Sequence, residues 1–276
     1  MLWAIINTFL DSIADIFYKK ALSISSIKPM VFQFAAELLS LPVVVILSFI
    51  FDFHFLFLDP IILGGFVLTT IFFVLSNNIQ YLYKNEKLST LLPYFKINSF
   101  IVVILGFLFF KDASLVSFLI CVAIILTTIF SIDFKNHVIP KNFSKIILHE
   151  VFKTMEFLIS IYILKTITSL EFVILYQVYY VVIIFFVILF LKEFGEFKKI
   201  NTNIIKYRSS AYVFFTSYFI DIFLLKEYGV IMLTLFFFCS TLSITLAYFF
   251  LKETPEKKDI LLGLFVTVLA GVYYFK

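Results

Sequence analysis

The feature that most restricts what this chain can fold into is the spacing of its charges. Stretches of about 20 residues, the length of helix that crosses a bilayer, pass with few ionisable groups, and charge clusters or Pro, Asn and Ser punctuate them. These apolar windows run over 2–20, 29–50, 60–83, 88–110, 113–132, 147–165, 170–191, 206–225, 229–250 and 259–275. Within each, the apolar residues are continuous instead of alternating, which argues against the dyad repeat of a barrel strand. A helix also satisfies its own backbone where water is missing. The expected fold is an all-α integral membrane protein of about ten transmembrane helices. Composition agrees: 62% hydrophobic and 14% charged residues leave too little polar surface to cover a globule in water.

The same composition sets several functions aside. A net charge of +4 spread over loops, with no basic patch interleaved with aromatics, does not point to nucleic acid as a partner. Cys121 and Cys239 stand inside apolar runs without CxxC spacing and read as small buried residues. His149-Glu150 opens like HExxH, but Lys153 stands where the second histidine is needed, so no metal site is expected. No P-loop, GxGxxG or GxSxG occurs. The chain is therefore expected not to be an enzyme and to need no cofactor. Asn142-Phe143-Ser144 fits a glycosylation sequon too short to carry weight. The first window carries Asn7, Asp11 and Asp15 without a small-residue cleavage site, so it is expected to remain as the first span.

The polar stretch 133–146 (DFKNHVIPKNFSKI) acts as a linker between 1–132 and 147–276, with five windows on each side. Near the end of each half stand SFIVVILGFLFFKD (99–112) and STLSITLAYFFLKE (240–253), sharing Ser99/Ser240, Phe109/Phe250 and Lys111/Lys252 at one constant offset. An odd number of spans per copy forces two sequential copies into opposite orientations. The expected organisation is thus two inverted five-helix repeats, the plan of many secondary transporters.

An apolar helix ending in lysine and an acid, a short turn, then a helix closing with glycine (LAYFFLKETPEKKDILLGLFVTVLAGVYYF) resembles the drug/metabolite transporter superfamily. A second copy, LGFLFFKDASLVSFLICVAIILTTIF, stands where that family's first half has one, and WAIINTFLDSIADIFYKKAL is similar to its first helix, with Trp3, Lys19 and Lys20. The resemblance, to EamA-like or nucleotide-sugar-transporter-like members, implies alternating access about a central site. This chain departs from the family at Ser99 and Ser240, where many members carry proline, and at Gln33 and Glu37, where arginine is common. Phe95-Lys96-Ile97-Asn98 looks like the lysine-bearing fourth helix of nucleotide-sugar transporters.

An ionisable group deep in a bilayer costs several kcal/mol unless paired or hydrated, which makes such groups the first candidates for a site. Asp11 lies roughly 13 Å along its helix at ~1.5 Å per residue, with Asn7 and Asp15 on the same face. It reads as part of an acidic stripe facing a cavity, or as a structural hydrogen-bonding group. Glu37 shares a face with Gln33 and Ser40 and reads equally as cavity lining or an interhelical bond. Lys96 is a point charge suited to a substrate carboxylate or phosphate, or else a lysine snorkelling to the surface. His149, Lys153 and Glu156 share roughly one face. Aligning Lys20 with Lys165 as equivalent helix exits places Glu156 opposite Asp11; the competing reading neutralises Glu156 with Lys153. Asp221 reads as interfacial or capping. Gln177 and Tyr180, with Tyr176 and Tyr179, and Ser240, with Thr241 and Ser243, complete the candidate set. Gly263, Thr267 and Gly271 form a small-residue stripe for helix packing or a dimer seam.

The expected function is a secondary transporter moving a small polar metabolite, an amino acid or similar zwitterion, across a membrane. Asp11, Glu37, Lys96, Glu156, Gln177, Tyr180 and Ser240 are the expected substrate-binding residues, and Asp11 and Glu156 the proton carriers. The runner-up is a nucleotide-sugar or phosphorylated-metabolite exchanger; readings of another class are a lipid-handling membrane enzyme or a structural subunit. The expected partners are the small-molecule substrate and membrane lipid, with the chain a monomer or homodimer in a prokaryotic plasma membrane. Most of the 22 Lys and Arg fall in the loops opposite the termini, and cytoplasmic loops carry the excess of positive charge, so both termini are expected outside. The superfamily's habit is the reverse.

Overall fold

The computed structural model describes residues 2–24, 27–51, 59–79, 97–110, 114–130, 142–200, 204–228, 236–255 and single positions between 257 and 268. The described residues are mostly helical and include no strand. In chain order the helices are α1 (Leu2–Ile24), α2 (Pro29–Ile50), α3 (Pro60–Ile79), α4 (Ile97–Leu105, continued by a π-helical turn over Gly106–Phe110) and α5 (Leu115–Phe130). After the linker come α6 (Phe143–Leu164), α7 (Ser169–Phe190), a 3-10 turn over Phe194–Lys199, α8 (Ile204–Tyr228) and α9 (Phe236–Leu251). Two segments, Met30–Ile50 and Ser169–Phe190, are long and apolar enough on their own to cross a membrane. Others, such as α1 and α6, carry too many ionisable groups to qualify by composition alone.

Local chemistry sets the helix ends. Pro29 and Pro60 occupy first-turn positions where no amide hydrogen is needed, and the Asp59 carboxylate accepts from the Ile61 amide at 2.8 Å. Thr168 caps α7 in a reciprocal box: its hydroxyl accepts from the Glu171 amide at 3.2 Å, and Glu171 accepts from the Thr168 amide at 2.7 Å. Lys226 of α8 donates to the carbonyls of Leu164 and, at 2.9 Å, Ile167, neutralising the C-terminal end of α6. The sequence windows begin at Pro29 and Pro60 as these helices do and miss other ends. α6 starts at Phe143, inside the expected linker, and α8 runs on to Tyr228, because hydropathy marks the apolar part of a helix while backbone bonding extends through its polar turns.

The main pairings join elements far apart in sequence. α3 lies along α6, α1 against α8 and α9, and α2 against α7, with α3 also touching α7, α2 touching α8, and α4 touching α5 and α6. Gly65 permits the α3–α6 approach, since a β-carbon there would stand 3.0 Å from the Ile163 Cδ1. Phe66, Phe172 and Tyr180 fill the centre; the Phe66 and Phe172 rings lie 5.1 Å apart.

Around this apolar core, three helices bury polar residues while turning apolar ones outward. α6 buries His149, Glu150, Thr154, Glu156 and Ser160 while exposing Leu148, Val151 and Met155. α3 buries Thr69, Thr70 and Ser76 and turns Ile61, Leu68 and Leu75 outward. α2 buries Gln33, Glu37 and Ser40 while Phe49 is 79% exposed. Charged and amide side chains are almost never fully buried in water-soluble folds unless paired, and broad exposed apolar faces are rare there.

Candidate functional site

α2 and α7 meet at a pair of polar residues. The spacing of Gln33, Glu37 and Ser40 puts them on one face of α2, and that face turns inward. Gln177 of α7 donates from Nε2 to the Glu37 Oε2 at 2.6 Å and to the Glu37 backbone carbonyl at 3.1 Å. Gln33 donates to Oε1 at 2.9 Å. Glu37 and Gln177 are 6% and 3% exposed, so water does not share these bonds. Among the described residues Glu37 makes no ion pair: two neutral amides are its partners. Both helices are 22 residues long, and Glu37 stands as far from Pro29 as Gln177 does from Ser169. The two residues therefore hold equivalent places in their helices.

Beside this pair lies a cavity of about 10 Å³ lined by Glu37, Phe73, Tyr176, Gln177, Phe215 and Tyr218. That is the space of one water molecule. The Tyr218 hydroxyl is buried beside Tyr176, a weak hydrogen-bonding neighbour, and the two rings lie 5.0 Å apart. Tyr176 donates its hydroxyl to the Glu156 Oε1 at 3.1 Å. Lys153 donates to Oε2 of the same carboxylate at 2.9 Å and holds its ammonium 4.0 Å above the Phe73 ring. Glu156 is thus neutralised within its own helix, one aromatic layer away from Glu37.

A second polar layer joins α1 to α8. Ser217 donates to the Asp11 Oδ1 at 3.0 Å, and Asn7 donates to Asp221. Lys19, near the end of α1, pairs with Glu253, just beyond α9. At the start of α2, Lys28 pairs with Glu193 at 2.6 Å.

The structure brings Glu37, Gln177 and Tyr176 to one cavity and separates the other candidates. Asp11 and Glu156 do not face one another across it: Asp11 is bonded to α8, Glu156 to Lys153 and Tyr176, and neither lines the cavity. Asp221 neither caps nor ends α8, which continues to Tyr228; its carboxylate accepts from Asn7 in the packed interior. Tyr180 is wholly buried 4.8 Å from the Phe73 ring and serves as core. Lys96 lies outside the described residues. Ser240 belongs to α9, with its side chain outside the described set, and Gly263, Thr267 and Gly271 are likewise not described. Reading the sequence missed Phe73, Phe215 and Tyr218. With 40 Phe and 15 Tyr, aromatic identity singles out no position. Glu193 and Glu253 had a signal, since Phe-Leu-Lys-Glu occurs at 190–193 and again at 250–253.

No family model matches the chain, and no curated protein matches its sequence.

Proposed function

We propose that the protein is a multi-spanning membrane transporter for a small polar metabolite, built as two inverted halves that rock about a site between them. The pattern of burial supports the membrane part: exposed Leu, Val, Ile and Phe around an apolar core that also takes in Glu, Gln, Thr and Ser suits a solvent of lipid tails. The helix pairings support the repeat. Exchanging α1 with α6, α2 with α7, α3 with α8 and α4 with α9 turns the α3–α6 contact into α8–α1, α1–α9 into α6–α4, and α3–α7 into α8–α2, and leaves α2–α7 in place. All of these pairings occur. The ten-helix plan of the drug/metabolite transporter superfamily is the frame this reading adopts.

The observation that carries the reading is the Glu37–Gln177 bond. Its residues are equivalent in the exchanged helices, so it falls on the axis relating the halves, and inverted-repeat transporters bind at their repeat interface. Rocking of the halves parts α2 from α7 and opens the cavity alternately to each side. The test is counterflow in proteoliposomes loaded with pooled amino acids, amines and small phosphorylated metabolites. The expected result is accumulation of one pool, lost in a folded Gln177→Leu variant. Failure of the folded wild-type protein to exchange any pool overturns the proposal.

A further inference from the structure

We infer that the cavity beside Glu37 recognises an ammonium group, so that the solute is a primary amine or an amino acid held by its amino end; this rests on the transport reading for its place between the halves. Charge comes first. Around the cavity, Glu156 is balanced by Lys153, whereas Glu37 is held by the amides of Gln33 and Gln177, which carry no charge. The position equivalent to Glu37 in the other half is an amide, and the Lys153 ammonium that lies over the cavity-lining Phe73 ring is already bound to Glu156. An ionised carboxylate in so apolar a place is unfavourable alone and is offset by a cationic occupant.

Valence and shape agree with charge. A carboxylate offers about four acceptor positions, and two on Glu37 are taken. The buried Tyr218 hydroxyl oxygen, with two lone pairs and only Tyr176 as a weak neighbour, has room to accept a further hydrogen bond. An ammonium head with three hydrogens can use these oxygens and lie against the rings of Phe73, Tyr176 and Tyr218 that form the remaining wall. The cavity of about 10 Å³ admits a group the size of one water, which is the size of an ammonium head. It is too small for a phosphate or carboxylate, and either would meet the like charge of Glu37. The structure is thus closed around the space for the head, and the rest of the solute enters as the halves part.

The test is thermal unfolding of the purified full chain in nanodiscs, with methylammonium, ethanolamine, acetate and inorganic phosphate as probes at matched ionic strength. The amines are expected to raise the unfolding midpoint of the wild-type protein and the two anions to leave it unchanged. Glu37→Gln should abolish the amine effect. Tyr218→Phe, which keeps the ring and removes only the hydroxyl oxygen, should raise the half-protecting amine concentration by about tenfold, the loss of one hydrogen bond to a charged group. Equal protection by acetate or phosphate overturns the inference, as does no protection by either amine. If Glu37→Gln does not fold, an amine response unchanged in Tyr218→Phe overturns it. The two readings fail separately. Amine binding without counterflow removes transport alone, and counterflow of an anion unaffected by Glu37→Gln removes the ammonium site alone.

Discussion

Lys153 and Glu156 set the scale for a single charge in this interior. Their nitrogen and oxygen are 2.9 Å apart, and the Glu156 side chain is 4% exposed. Removing one member strands the other, which for buried pairs costs about 3–5 kcal/mol, whereas replacing both by apolar groups of similar volume is often neutral. Lys153→Met should therefore destabilise the protein strongly, and Lys153→Met with Glu156→Leu should recover most of the loss. Denaturant titration of the two variants in detergent checks this; equal stability of single and double variants would show that the pair is not coupled. The pairing at three residues' separation was readable from the sequence. Its consequence was not, because an acid neutralised by its neighbour and an acid awaiting a ligand look alike until the partners of both are known.

Among the elements, α7 shows how much is local. Thr168 and Glu171 form a capping box recognisable in the sequence pattern, and Thr168→Ala should cost about 1 kcal/mol, read as a lowered unfolding midpoint. At the other end Lys192 adopts φ 56°, as does Lys252 beyond α9. A left-handed conformation costs a residue with a β-carbon about 1 kcal/mol relative to glycine. Lys192→Gly should consequently raise stability, and a fall would mean the lysine side chain makes a contact worth more than the backbone strain. These turns deliver Glu193 and Glu253 to Lys28 and Lys19, on either side of the α1–α2 turn. The hydrogen bond and charge of Glu193 hold the Lys28 ammonium above its usual range. Its contribution is accordingly complete below the ordinary lysine value and is lost as pH rises through the raised one. Glu196 is displaced the other way by its bond to Lys199, so its contribution is present above the ordinary carboxylate value and is lost as pH falls. Both pairs are intact near neutrality. Reversing Lys28 to Glu should lower the midpoint at low salt, adding Glu193→Lys should restore it, and high salt should shrink the difference. A salt-independent deficit would assign the loss to packing.

For the whole molecule, the exposed apolar faces of α2, α3 and α6 and the two apolar helices of spanning length fit a surrounding of lipid or detergent, from which the proposed transporter would draw stability. Orientation belongs to the same scale. Because cytoplasmic loops carry the excess of positive charge, the lysines expected opposite the termini, Lys135 and Lys141 among them, predict that those loops face the cytoplasm. A cysteine at Asn136, probed with an impermeant thiol reagent on intact cells, should stay unlabelled until the membrane is opened. Labelling from outside would reverse the predicted orientation and leave the proposed repeat untouched.

The sequence by itself determined the helical class and the approximate places of the described helices. A long apolar stretch forms one whatever it packs against, because its hydrogen bonds close within the segment and its side chains need only an apolar surrounding. It also limited the site to a short list of polar residues within the apolar windows, Glu37 and Gln177 among them. Only the tertiary structure decided which of these meet. Glu37 and Gln177 are 140 residues apart, Asp11 and Ser217 206, and no periodicity within a helix encodes a bond across such a distance. Nor does a polar residue's own chemistry show whether it faces a cation, an amide or a cavity. That is set by how the helices rotate about their axes as they pack, and in an apolar solvent that rotation follows from burying polar faces together.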